Sequence, residues 1–362
     1  MHKIDSRLQR IANVLLLNAS FTDNLGLLNG KMGVAIFFYH YAKYSGNNIY
    51  EVYAGELIDE IYDEININTP MDFSNGLTGI GWGIGYLVDN RFVDADTEEA
   101  LVDIDNAVYN SLINRSLLID DDNNLFGYGF YFLSRFNGHG TDNNSLNTFR
   151  KKECLNYLTD ECEKLLIQKL DTKFNISKLS ITTFNSILWY LLEMERVGIC
   201  HSKVRKILHY LPGNIMLSQE NNSIANKSIL LDLVQRVVLN IPDKSLQKQY
   251  WSILKCLNGY TIDSISDEKS LLSDLKMIHF QKLLYHPYID SMESIAPLYQ
   301  KVLEVINNEE VWNSELNGLN KANLGLKGLA GTGLLLLDYC PSGKSGLRKN
   351  ICQEKQIVKD DQ

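Results

Sequence analysis

Cys200 and His201 are adjacent, and Cys154 lies 46 residues upstream. Two thiols and an imidazole make a soft donor set of the kind that holds zinc and leaves one position open for an activated ligand. Their placement argues instead for ordinary thiols. Cys200-His201 follows the apolar stretch that ends at Val197-Gly198-Ile199, where a pair opening such a stretch would be needed, and Cys154 falls in a charged segment. The six cysteines (154, 162, 200, 256, 340 and 352) have no framework spacing, and no export signal accompanies them. They read as reduced thiols of a cytoplasmic protein.

Paired carboxylates would supply a second chemistry, glycosidic bond hydrolysis across a cleft. Asp72, Asp120, Asp122, Asp232 and Asp267 each precede or open an apolar segment. No spacing selects a pair among them, and acids at such places cap helices and complement the N-terminal dipole. Trp82, Tyr86, Tyr128, Phe130 and Trp189 lie inside apolar segments and read as core, not as a sugar platform. Gly343-Lys344-Ser345 ends like a phosphate loop, but Asp338 stands where the earlier glycine belongs. Tyr86 likewise replaces the last glycine of a dinucleotide fingerprint begun at Gly81. Asp120-Asp121-Asp122-Asn123-Asn124 lacks the glycine and closing glutamate of a calcium loop.

The elements that would position these groups are helical. Six prolines in 362 residues favour long uninterrupted helices, and a hydrophobic share of 45% is ample for a packed core. A net charge of −9 argues against nucleic acid or an anionic membrane as the main partner. No apolar run reaches the ~18 residues that span a bilayer. Residues 11–17, behind Arg7 and Arg10, fit a first amphipathic helix better than a signal peptide, because Asp5 and Asn13 interrupt the pattern.

Glycine carries the positional signal. Of 24 glycines, sixteen fall in four clusters, at 26–33, 76–85, 127–140 and 325–333. Anchors at Gly33, Gly79, Gly127 and Gly331 are separated by 46, 48 and 204 residues, and the last interval holds four steps of 51. Three further units are therefore expected near 178, 229 and 280. Apolar segments without glycine occur at all three, around Ile181–Leu192, Ser228–Val238 and Leu275–Tyr285. Between the apolar segments lie one-sided ones, such as Leu57, Ile58, Ile61, Tyr62 and Ile65 among acids, then Leu101, Ile104, Val108 and Leu112, then Leu298, Val302, Val305 and Ile306. Alternation of all-round apolar and one-sided helices predicts an all-α fold, an α/α toroid of about seven helical hairpins with inner and outer rings. One domain is expected over 1–340, with a poorly ordered tail over 341–362.

Leu27-Leu-Asn-Gly-Lys-Met-Gly33, Ser74-Asn-Gly-Leu-Thr-Gly-Ile-Gly-Trp-Gly83 and Gly328-Leu-Ala-Gly331 resemble the Gly-x-x-Gly turns that open the inner helices of the lanthionine synthetase C-like (LanC) family. The resemblance extends as repeat architecture over residues 20–340 and implies structural roles for Gly30, Gly33, Gly76, Gly79, Gly127, Gly328 and Gly331. Cyclases of that family use one zinc ion, held by a Cys at the fifth inner helix and a Cys-His pair at the sixth, to activate a peptide thiol for addition to a dehydrated Ser or Thr. The matching segments here, Ile224–Asp232 and Asp267–Met277, contain neither Cys nor His, the fourth unit's start at Ser180–Ser186 has no His, and His279 lies one turn too far in. The resemblance therefore implies a zinc-less relative without catalytic residues or cofactor, which binds a precursor peptide or a maturation enzyme such as a dehydratase. Lys31, Lys227 and Lys327, at the inner-helix starts, are the expected binding residues, on a mouth made electropositive by unpaired helix N–H groups. The alternatives are an active cyclase with a displaced zinc site at Cys154, Cys200 and His201, and a toroidal glycoside hydrolase.

Overall fold

A computed structural model describes residues 2–114, 122–137, 146–170, 179–214, 224–257, 268–284, 305, 307–317 and 324–339. Every regular element among these residues is helical. The helices are α1 (His2–Asn18), α2 (Lys31–Ser45), α3 (Ile49–Glu64), α4 (Leu77–Asp89), α5 (Thr97–Ala100), α6 (Val102–Ile113), α7 (Asp122–Asn137), α8 (Leu146–Leu170), α9 (Ile181–Val197) and α10 (His201–Tyr210). They continue with α11 (Ile224–Asn240), α12 (Lys244–Leu257), α13 (Glu268–Leu284), α14 (Glu309–Asn317) and α15 (Leu329–Tyr339). No helix among the described residues is long and apolar enough to cross a membrane.

Burial alternates along the chain as the hydrophobic pattern requires. In α2, Lys31 to Tyr39 are buried without interruption, and in α4 Leu77 to Ile84 are. The helices between them bury one stripe: Tyr50, Ala54, Leu57 and Ile61 in α3, and Ile104, Val108 and Leu112 in α6. Apolar side chains at three- and four-residue spacing can cover a neighbour on one side only, which leaves the charged face to solvent. Gly46 and Gly198, at φ 68° and 72°, stop α2 and α9 in the left-handed conformation that glycine adopts without a steric penalty.

The chain packs as two compact units, Met1–Asn68 with Gly318–Gln362, and Thr69–Asn317. In the larger unit α4 packs on α7, α7 on α9, α9 on α11 and α11 on α13; α4 and α7 are buried over most of their surface, whereas α11 and α13 each expose one side, at Gln235 and Leu239 and at Ser273 and Met277. Each is backed by the one-sided helix that follows it: α6 behind α4, α8 behind α7, α10 behind α9 and α12 behind α11. Lys276 Nζ, 2.7 Å from Glu315 Oε1, ties α13 to α14. In the smaller unit α15 packs on α2, α3 backs α2, and α1 lies against α15. The last all-round buried helix is thus backed by the first helix of the chain.

The spacing predicts the positions of the eroded units well at α9 and α11. The start expected near 280 is displaced, since α13 already begins at Glu268. Without a glycine turn, nothing in the sequence marks where that helix opens. The calls on Asp120, Asp267, Cys340, Cys352, Leu298, Val302, Ile306 and the tail 341–362 lie outside the described residues.

Candidate functional site

The glycine clusters build one turn three times. Gly30 N–H donates to Gly26 O (3.1 Å), Gly76 N–H to Asp72 O (3.0 Å) and Gly328 N–H to Gly325 O (2.9 Å). The first residue of the helix then reaches back over the loop, Lys31 N–H to Asn24 O at 2.9 Å and Leu77 N–H to Pro70 O at 2.8 Å. Ala330 N–H does the same to Leu324 O at 3.0 Å. A Cβ on Gly30 would stand 2.1 Å from Asn24 O, one on Gly76 2.1 Å from Pro70 O, and one on Gly331 1.9 Å from Leu326 O. Backbone lies against backbone at each turn, and only glycine leaves room.

These turns consume the N–H groups expected to be unpaired at the mouth. At the first, second and last inner helices the leading amides are bonded to loop carbonyls, so the predicted ring of free donors is corrected there. Lys31 also departs from its expected role as an outward-facing binding residue. It is 2% exposed, and its ammonium lies 2.6 Å from Glu64 Oε1 and 3.1 Å from Glu60 Oε2 of α3. Burial pulls its pKa down, but the hydrogen bonds and charges of Glu64 and Glu60 prevail and hold it above the ordinary lysine value. Lys327 is exposed, and Lys227 is half-buried in the first turn of α11, a turn later than the sequence suggested. Where glycines are missing, amides hold the helix starts together: Asn185 Nδ2 donates to Asn226 O (2.8 Å), and Asn226 Nδ2 to Thr182 Oγ1 (3.0 Å).

Further into the inner helices a second device recurs. Each glycine two residues beyond an anchor receives an aromatic ring from the adjacent inner helix. A Cβ on Gly81 of α4 would lie 2.6 Å from the Tyr131 ring of α7, one on Gly129 of α7 2.8 Å from Tyr190 of α9, and one on Gly333 of α15 2.3 Å from Phe37 of α2. Tyr131 and Phe37 each stand four residues after their own anchors, Gly127 and Gly33. The contact between α15 and α2 therefore repeats the contact between α4 and α7. The two turns also join directly, Leu326 N–H to Leu27 O at 3.2 Å and Lys327 N–H to Leu28 O at 2.8 Å.

Aromatic side chains fill the space among α4, α7, α9 and α13. Phe73 meets Trp82 (6.0 Å between centroids), Phe130 (5.6 Å) and Phe280 (6.5 Å), and Phe130 meets Trp189 at 4.4 Å. Trp82 and Trp189 are 5% and 4% exposed, the core placement the sequence suggested. Phe73 and Phe280 went unnoticed in the sequence, since neither falls at a repeat-specific position.

Among the described residues neither candidate chemistry is assembled. Among the described residues no three His, Cys, Asp or Glu side chains are disposed to hold a metal ion, so Cys154, Cys200 and His201 do not form a common site. Cys154 is buried in α8, and desolvation, with Glu153 and Asp105 adding to it, pushes its thiol up to about 12. Burial raises the Cys200 thiol as well; its Sγ lies 2.9 Å from Asn156 Oδ1. His201 Nδ1 is 2.8 Å from Glu195 Oε2. Of the carboxylates, Asp72 accepts the Ser74 and Asn75 N–H groups at 2.8 Å, a turn-capping role. Asp232 is not at a helix start, as the sequence suggested, but midway along α11, 2.9 Å from Arg236 Nε. One charged group escaped the sequence reading: buried Arg135 of α7, bonded to Asp105 (2.8 Å) and Glu98 (3.1 Å), with Lys151 on Glu98 at 2.5 Å. An arginine inside the apolar stretch that starts at Gly127 was the available signal.

No protein-family model matches the sequence, and no curated protein does.

Proposed function

We propose that this chain is a zinc-less LanC-like protein, a ring of seven hairpins that acts in modified-peptide maturation by binding a precursor peptide or a partner enzyme. The observation that carries the reading is the Gly333–Phe37 interlock, which joins the last inner helix to the first by the same step that joins α4 to α7 and α7 to α9. The same glycine–ring step found within each of the two units supports a regular repeat of helical hairpins. The Gly-x-x-Gly turns at Gly30, Gly76 and Gly328 support the family resemblance, because backbone crowding accounts for their recurrence. Binding without catalysis is supported by the fifth and sixth inner helices, which lack Cys and His where the cyclase zinc ligands would stand.

Elemental analysis of purified protein, paired with a pull-down against any dehydratase and leader-bearing peptide found encoded beside its gene, tests this. Capture of either one by protein with sub-stoichiometric zinc is the expected result. One tightly held zinc per chain would favour the active cyclase. Failure to capture either at low and physiological salt would remove the peptide-maturation reading. Lys327 is the first surface residue to reverse in charge, because Lys31 is engaged with Glu60 and Glu64.

A further inference from the structure

The C-terminal halves of α9 and α11 line a cavity of about 570 Å³, within the size range of small-molecule sites. Its floor is buried and charged: Glu193 and Asp232 are each 9% exposed, and Ile241 is 2% exposed. Its rim is exposed, formed by Gln235, Leu239 and Asn240. Three carboxylates, Glu193, Glu195 and Asp232, face two guanidiniums, Arg196 and Arg236, with Leu192, Leu239 and Ile241 as apolar wall. Internal pairing accounts for much of this charge. Arg196 Nε lies 2.8 Å from Glu193 Oε2, Arg236 Nε 2.9 Å from Asp232 Oδ2, and Glu195 Oε1 accepts from Arg205 Nη2 at 2.8 Å.

One donor is left over. Arg236 Nη2 is buried away from solvent and has no hydrogen-bond acceptor among the described residues. A buried guanidinium N–H without an acceptor is unusual in a folded protein, and a planar carboxylate meets its geometry best. Burial also lifts the Asp232 carboxyl above the usual range, against the pull of Arg236, and a second cation nearby would further favour its ionised form. A simple anion such as phosphate would face three carboxylates, and a simple cation two guanidiniums. A ligand carrying both signs on a short frame, with an apolar side chain between them, suits every wall of the cavity.

We infer that the α9–α11 cavity binds a small zwitterion of the amino-acid or short-peptide class, its carboxylate on Arg236 Nη2, its ammonium between Asp232 and Glu193, and its side chain against Leu192, Leu239 and Ile241. The site lies toward the helix C-termini, away from the glycine turns, and does not depend on a role in peptide maturation. The probes are leucine, Leu-Leu and N-acetyl-Leu-Leu-amide, titrated calorimetrically into the full chain, with methyl NMR reporting on Leu192 and Ile241. Saturable binding of leucine or Leu-Leu that shifts those methyls, weakened at least about tenfold in the doubly blocked peptide, is the expected result. The tighter of the two unblocked probes identifies the source. Arg236→Gln should weaken binding by a similar factor, and the Asp232→Asn/Arg236→Gln pair, which keeps a neutral hydrogen bond, serves if the single variant unfolds. Absence of saturation at millimolar concentrations, equal binding of the blocked peptide, or methyl shifts confined to other sites would overturn the assignment.

Discussion

Gly81 and Gly85 sit one turn apart in α4 and should respond to alanine with opposite signs. The helix-propensity gain is common to both, about 1 kcal/mol in favour of alanine. At Gly85 nothing lies within 4 Å of the added Cβ, so that gain stands alone and Gly85→Ala should stabilise the fold by up to about 1 kcal/mol. At Gly81 the Cβ would lie 2.6 Å from the Tyr131 ring and 3.3 Å from Ile104 Cγ2. Tyr131 cannot retreat: it is fully buried, and its hydroxyl donates to Asp105 at 2.6 Å, an acid itself fixed by Arg135. Overpacking against an immobile ring costs about 1–3 kcal/mol, and the closeness of this contact points to the upper half of that range. Subtracting the propensity gain leaves Gly81→Ala destabilised by about 1–2 kcal/mol, so the two variants should differ by about 2–3 kcal/mol. Urea unfolding followed by circular dichroism measures both on one scale. At the α15–α2 contact, Gly333→Ala should be partly rescued by Phe37→Leu, which removes the ring that the new methyl meets. Equal stabilisation of Gly81→Ala and Gly85→Ala, or additivity at Gly333 and Phe37, would refute the interlock.

Three other outcomes follow from the same geometry. Arg135→Leu leaves Asp105 and Glu98 without their shared guanidinium and should cost about 3 kcal/mol, the low end for a broken buried pair because both acids keep some solvent; chemical denaturation measures it. Iodoacetamide labelling followed by mass spectrometry should modify exposed Cys256 first, then half-buried Cys200, while Cys154, buried and pushed up to about 12, reacts only on unfolding. Asp243 is held below the ordinary carboxylate value by the Leu246 N–H and by His209, so its contribution is present above about pH 4 and is lost as pH falls through its folded value; Asp243→Asn should therefore flatten the acid limb of the stability profile.

The periodic parts of the fold were legible because close packing wrote them into the sequence. A recurring glycine records a place where the chain packs too closely for a side chain, and the helices α2, α4 and α15 begin where those glycines stand. The partner of each interlock glycine was not legible. Gly333 and Phe37 are almost the whole chain apart, and nothing local to either residue names the other. Lys31 was misjudged for a related reason. Lysine in a turn is usually solvated, and the acids that bury this one, Glu60 and Glu64, lie on the next helix. Their spacing of four residues on one face of α3 was the signal available. Asp232 was placed at a helix start because the unit lacks a glycine turn to fix its register, and α11 begins eight residues earlier.

The placement of α1 behind α15 sets an order on synthesis. The ribosome delivers α1 first and α15 last, yet the apolar stripe of α1, with Leu8, Ile11, Ala12 and Leu15 at 0% exposure, is covered in part by α15. Until some 330 residues have emerged, that stripe and the Gly333 face of its partner wait unsatisfied. The loop closed by their meeting is nearly the full chain, which places this contact among the slowest to form and leaves the nascent N-terminus a substrate for holdase chaperones meanwhile. A stop codon just before α15 would therefore be felt at α1, some 310 residues upstream, as proteolysis within that helix.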